Sequence, residues 1–264
     1  MKKALSTKLK LALQLWTVRE MAERDLAGTL KQVRAMGCDT IEIFGDGPAF
    51  YEDMHTALQA SKMQCCSAHV PFAALRDDLP RVIAGLQSIG CKTAIVPAFS
   101  KDMRDTMPKA LQLANDLNHI GGQLNAAGIA FAYHNEDYDF APLDEMTLWE
   151  TLVENTDASF VQLQLDVFTA TMMKIDPIKL MREHGRRITS LHLCDMKACR
   201  YVPVGQGELD WPALLHAASQ TAAQWLIVEH DAPANPIEDA AASLNALRTL
   251  MEMNSPPAWR EGLG

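Results

Sequence analysis

Eight short apolar runs, separated by longer segments of helical period, restrict this chain more than any other feature of its sequence. They are LALQL (11–15), TIEIF (40–44), QCCSAHV (64–70), TAIVPA (93–98), IAFAYHN (129–135), VQLQLD (161–166), ITSLHL (188–193) and WLIVEHD (225–231). Strand-like runs alternating with helical segments imply parallel strands joined by crossover helices. Between the runs, Leu26, Leu30 and Val33 share one helical face, as do Leu79, Ile83 and Leu86. Ala110, Leu113, Leu117 and Leu124 form another such face, and Ile237, Ala241, Leu244 and Leu247 a fourth. Asp25, Asp176 before Pro177 and Asp210 before Pro212 signal helix starts, while Gly37, Gly90 and Gly128 stand where left-handed caps close helices. GCDTI (37–41) and GCKTAI (90–95) repeat one helix-to-strand turn. No G-x-G-x-x-G follows any strand, and units of roughly thirty residues suit a closed (β/α)8 TIM barrel better than an open doubly wound sheet. A chain of 264 residues, 48% of them hydrophobic, can bury that core as one domain over 1–264.

Net charge −9 leaves no cationic face for a phosphate backbone, so neither nucleic acid nor an anionic membrane is expected as a partner. The six cysteines, Cys38, Cys65, Cys66, Cys91, Cys194 and Cys199, form no CxxC pair and read as reduced, mostly buried thiols. Lys8 and Lys10 interrupt any apolar run long enough for a signal peptide, which points to a cytoplasmic enzyme. The tail NSPPAWREGLG (254–264) is expected to pack across the barrel floor or against a neighbouring subunit of a homo-oligomer.

Barrel enzymes carry their chemistry at the carboxyl ends of the strands. Those ends hold Gln14, Glu42, His69, His134, Asp166, His192 and Glu229, and only the fourth strand ends on apolar residues. Polar groups inside apolar runs are costly unless paired or liganded. Asp166, His192 and Glu229 combine carboxylate oxygens with an imidazole, a set suited to Mn²⁺, Mg²⁺, Co²⁺ or Zn²⁺. His134 or, two residues on, Glu136 supplies a fourth ligand; His134 gives a neutral site and is preferred, whereas Glu136 leaves it net negative.

With these motifs assembled, the chain resembles the xylose isomerase-like TIM barrel superfamily, in particular the proteins called sugar phosphate isomerase/epimerase. LALQLWTVR (11–19), CSAHVPF (66–72), AYHNEDYDF (132–140), LQLDVFTA (163–170), LHLCDM (191–196), VGQGELDW (204–211) and IVEHD (227–231) stand in the family's order. The resemblance implies one metal held from the last four strands, with Asp166, His192 and Glu229 at three of the ligand positions. His134 stands where the family's epimerases carry glutamate, and HNE departs from the HNH of another branch. Thr169 replaces a histidine common to epimerases and to relatives of endonuclease IV, whose three-zinc site also needs histidines not found here.

The expected activity is isomerisation or epimerisation of a sugar or keto-sugar through α-proton abstraction and a metal-stabilised enediolate. Glu229 and His134 are the expected proton carriers on opposite faces. Glu42 and His69 would hold substrate hydroxyls and Lys197 and Arg200 a carboxylate or phosphate, while Trp16 and Phe72 either wall the sugar ring or, the favoured reading, pack in the core. A lyase or dehydratase acting on a cyclitol or 3-keto-glycoside shares the first step, with His69 as acid. A non-catalytic carbohydrate-binding barrel is the third reading.

Overall fold

The computed structural model describes residues 9–253, so the N-terminal Lys8 and the tail 254–264 lie outside the described residues. Strands β1 (Lys10–Gln14), β2 (Thr40–Phe44), β3 (Gln64–His69), β4 (Thr93–Val96), β5 (Ala130–His134), β6 (Gln162–Asp166), β7 (Ile188–Leu193) and β8 (Trp225–Val228) close into one barrel. Each pairs in parallel with its sequence neighbour, and β1 also pairs with β8, which shuts the ring. The fold is the expected TIM barrel.

Helices end and begin where the sequence says. Asp25 accepts from Gly28 N, Asp176 from Ile178 N and Asp210 from Ala213 N, each satisfying an orphan donor of the helix it opens. Gly37, Gly90 and Gly128 have φ of 76°, 69° and 74°, the left-handed conformation that ends a helix without a Cβ penalty. The helix Leu26–Ala35 buries Leu30 and Val33, and Met107–Ala126 buries Ala110, Leu113, Leu117 and Leu124. Pro236–Met253 turns slightly from the expected face, burying Ala240 and Ser243 beside Leu244 and Leu247 while Ile237 and Ala241 stay half-buried.

Strand alternation sorts the side chains into two classes. Leu13, Ile41, Ile43, Ala68, Ala94, Val96, Phe131, Tyr133, Leu163, Leu165, Leu191, Leu226 and Val228 belong to the main apolar core between sheet and helices. The other parity faces the barrel axis and carries Gln14, Glu42, Ser67, His69, His134, Gln164, Asp166, Ser190 and His192, all buried. Among the described residues the cysteines are all free, and Cys199 alone is exposed. No helix among them is long and apolar enough to cross a membrane.

Candidate metal centre

Inward-facing polar residues form two levels. The lower one centres on Glu42, which shares register with Gln14 and Ser67 on the strands beside it. Gln14 Nε2 donates to Glu42 Oε1 (2.8 Å), Gln164 Nε2 to Oε2 (2.8 Å), and the Ser67 hydroxyl also donates to Oε2. Burial alone would raise the Glu42 carboxyl, but His69 and His192 overcome it and hold the group well below the ordinary glutamate range. Gln164 is a second hub. Its Oε1 faces His69 Nε2 at 2.7 Å and His134 Nδ1 at 3.0 Å, while its Nε2 also donates to Ser190 Oγ at 3.1 Å.

On the upper level, His134, Asp166, His192 and Glu229 bring one potential ligand atom each to within 4.8 Å of one another. Asp166 is fixed from both sides: its N–H donates to Asn135 Oδ1 (2.9 Å), and its Oδ1 accepts from Thr169 N (2.7 Å) at the start of the helix Val167–Met172. His192 bridges two carboxylates, Nδ1 to Glu229 Oε2 at 2.6 Å and Nε2 to Glu42 Oε1 at 2.5 Å. Burial disfavours its imidazolium, yet Glu229 and Glu42 outweigh this and raise its pKa well above the usual histidine value. His134 is the opposite case, held well below that value by burial, with His192 and His69 adding to the effect. A neutral His134 that gives Nδ1–H to Gln164 keeps the Nε2 lone pair for the cluster. Burial pushes Asp166 up to about 7, with His192 opposing and Glu229 adding.

A cavity of about 540 Å³ opens above these groups, bounded in part by Trp16, Arg19, His69, Glu136, Glu229 and Asp231. Trp16 stands in its wall, 37% exposed, edge-on to Phe44 and beneath the Arg19 guanidinium. His69 borders the cavity as the sequence suggests. Glu136 borders it outside the four-residue cluster, its carboxyl pushed up to about 8 by burial and the nearby Asp166.

Three residues expected to contact substrate, Glu42, Lys197 and Arg200, stand outside the cavity wall. Glu42 is 0% exposed and absent from the cavity wall, because it sits one pleat below Phe44, the residue of β2 that does reach the cavity. Lys197 and Arg200 are exposed on the hairpin formed by Asp195–Lys197 and Arg200–Val202, away from the wall. The turn between them, Ala198 and Cys199 with φ of 50° and 58°, carries both cations outward. Phe72 takes its favoured place in the core, buried and edge-on against Phe99. Sequence reasoning gave no role to Arg19 or Asp231; both lie just beyond β1 and β8, which barrel closure makes neighbours, and Arg19 donates to the Asp231 carbonyl at 2.9 Å.

Residues 30–250 match the model of a family described as xylose isomerase-like TIM barrel. An inosose dehydratase from Salmonella typhimurium (strain LT2) is 28% identical over 152 residues, covering 48% of this chain and 50% of that protein. The chain thus spans about half the length of the curated relatives it matches. A sugar phosphate isomerase/epimerase from Parabacteroides distasonis superposes with a TM-score of 0.82 at 18% identity, covering 95% of this chain and 96% of that one. The IolI protein with a bound zinc atom superposes with a TM-score of 0.69 at 16% identity, over 93% of this chain and 99% of that one. At such identities the structural likeness speaks for the fold alone.

Proposed function

The chain belongs to the xylose isomerase-like TIM barrel family, and from that premise we propose that it is a divalent-metal-dependent isomerase or epimerase of a sugar or keto-sugar. The carrying observation is the gathering of His134, Asp166, His192 and Glu229 at the inner end of a cavity large enough for a small substrate. A cation fits the donor chemistry. His134 offers a neutral imidazole, while Asp166 and Glu229, with Glu136 and Asp231 close by, gather acid around His192. Mn²⁺, Zn²⁺, Co²⁺ or Mg²⁺ would replace the His192 Nδ1 proton that now faces Glu229, and Glu42 would keep the Nε2–H in place. That the IolI protein holds zinc supports this reading. When bound, the ion would polarise a substrate carbonyl and its neighbouring hydroxyl.

Glu229 borders the cavity and is the base that takes the α-proton, leaving an enediolate. His134 has Nδ1 committed to Gln164 and acts as ligand in preference to Glu136. Any proton returned to the opposite face then comes from one of the remaining cavity carboxyls, Glu136 or Asp231. The similarity to an inosose dehydratase favours a second reading, in which the same proton removal is followed by expulsion of a β-hydroxyl with His69 as acid.

Incubation of the manganese-loaded protein with a keto-sugar panel in deuterium oxide separates these readings. Deuterium in an isomerised product supports the first, and loss of water from the carbon skeleton supports the second. Absence of exchange with every sugar, despite binding, would leave a carbohydrate-binding barrel. Elemental analysis is expected to find near-stoichiometric metal in the reconstituted protein and little in folded His192→Ala or Glu229→Ala. Glu42→Gln should weaken metal affinity by about 10–100-fold while KM at saturating metal stays within about twofold. A raised KM with unchanged metal affinity would return Glu42 to the substrate.

A further inference from the structure

Gln164 stands on β6 in register with His134 on one side and Ser190 on the other, and its buried side chain reaches across the barrel axis to residues of β2 and β3. Glu42 decides which end of this amide faces which neighbour. That carboxylate already receives Gln14 Nε2 and the Ser67 hydroxyl, and a carboxylate only accepts. The Gln164 atom 2.8 Å from Glu42 Oε2 is therefore the amide nitrogen, because the reversed amide would set two acceptor oxygens against each other. The other end is then the carbonyl oxygen, which has no proton to give. His134 Nδ1 at 3.0 Å and His69 Nε2 at 2.7 Å both have to be N–H donors toward it. His69 Nε2 also lies 3.1 Å from Glu42 Oε1, a second acceptor, which demands the same proton position. In a neutral imidazole the remaining nitrogen carries the lone pair. For His134 that nitrogen is Nε2, and for His69 it is Nδ1, in a ring that borders the cavity.

We propose that Gln164 is a positioning residue: oriented by Glu42, it fixes one tautomer in each of two histidines, so that His134 offers Nε2 to a metal and His69 offers Nδ1 as an acceptor to a substrate hydroxyl. This rests on the function proposed above and adds the residue that sets a ligand atom and the direction of a substrate hydrogen bond. An amide at 164 donates to Glu42 and accepts from two imidazoles at once, which neither a carboxylate nor an apolar side chain does. The second reading of the function is affected too. A neutral His69 with its proton on Nε2 has none to give from Nδ1 to a departing hydroxyl.

Long-range proton–nitrogen NMR of the full chain, labelled at its histidines, reads the tautomers directly, with His134→Gln and His69→Gln to assign the two rings. At about pH 8, above the ordinary histidine range, metal-free wild type is expected to show His134 protonated on Nδ1 and His69 on Nε2. Zinc should shift the Nε2 signal of His134 and leave its Nδ1 protonated. Gln164→Met should mix the tautomers of both rings and weaken zinc binding by about 10–100-fold. Gln164→Glu keeps an acceptor oxygen toward the imidazoles and should retain both tautomers, a rescue that a merely space-filling residue would not show. His134 protonated on Nε2, His69 protonated on Nδ1 or on both nitrogens, or tautomers and zinc affinity unmoved by Gln164→Met would each overturn the proposal. The wild-type spectrum decides between the tautomers even where Gln164→Met does not fold. Because it needs neither metal nor substrate, it also reads apart from the proposed function. The expected tautomers in a protein that takes up no zinc would remove the metal and keep the role of Gln164 in orienting the rings, whereas zinc uptake with the other tautomers would do the reverse.

Discussion

Glu229→Gln is expected to lower kcat/KM for solvent deuterium exchange by about 1000-fold even at saturating manganese, within the range that loss of a general base produces. Glu229 follows β8 directly, its N–H donating to Leu193 O at 3.2 Å, so the barrel's own hydrogen bonding places it at the cavity. Its Oε2 lies 2.6 Å from His192 Nδ1. An amide keeps the size of the side chain and an oxygen acceptor, but it carries no negative charge and accepts no proton from carbon. Two losses are therefore combined in this variant, weaker metal binding and missing proton transfer. Titration with excess manganese separates them, because only the first recovers. Asp166→Asn makes the comparison: its Oδ1 caps a helix and faces Thr169, so its defect should recover largely with metal. A loss of less than tenfold in Glu229→Gln at saturating metal would remove it as the base and turn attention to Glu136.

The sequence revealed which residues carry the chemistry better than it revealed how deep each one lies. Alternation in TIEIF and VQLQLD places Glu42, Gln164 and Asp166 on the inward parity, and all three are there. Depth is set by the stagger between strands, which one strand's sequence does not carry. Glu42 therefore reads as a residue at a strand end while standing a level below the cavity, and Gln164, which has no role in the sequence reading, joins His69, His134 and Glu42. Lys197 and Arg200 stand outside the cavity wall for a local reason: the residues between them take left-handed conformations without glycine, which no turn signature announces. Arg19 and Asp231 were present in LALQLWTVR and IVEHD, but their meeting depends on the first and last strands pairing. The metal set was legible because its donors interrupt otherwise apolar runs, where an unpaired polar group is costly.

VGQGELDW (204–211) was read only as a family motif, and the structure gives it a physical task whose loss should be large. Asp195, 0% exposed, follows β7 and is wrapped by this loop. Its Oδ1 accepts from Met196 N at 2.8 Å and Leu209 N at 3.2 Å. Its Oδ2 accepts from Gly205 N at 2.9 Å, Gly207 N at 3.0 Å and Trp211 Nε1 at 2.7 Å. The glycine at 207 is needed for that approach, since a Cβ there would meet Asp195 Oδ1 at 2.2 Å. Asp195→Ala leaves these backbone and indole donors without their acceptor, and water can reach only some of them. The expected cost is about 3–5 kcal/mol, near the top of the range for single substitutions, or roughly 10 °C in Tm. Asp195→Asn keeps one acceptor oxygen but turns its amide N–H groups toward donors, so it should recover less than half of that loss. The same carboxylate anchors the hairpin carrying Tyr201, which stacks on Phe168 at 3.7 Å and donates to Asp231 Oδ2 at 2.7 Å beside the cavity. Asp195→Ala should therefore also lower exchange activity at temperatures where the protein remains folded. Denaturant unfolding within 1 kcal/mol of wild type would show that the loop holds its shape without the carboxylate, and would sever the proposed link from Asp195 through Tyr201 to Asp231.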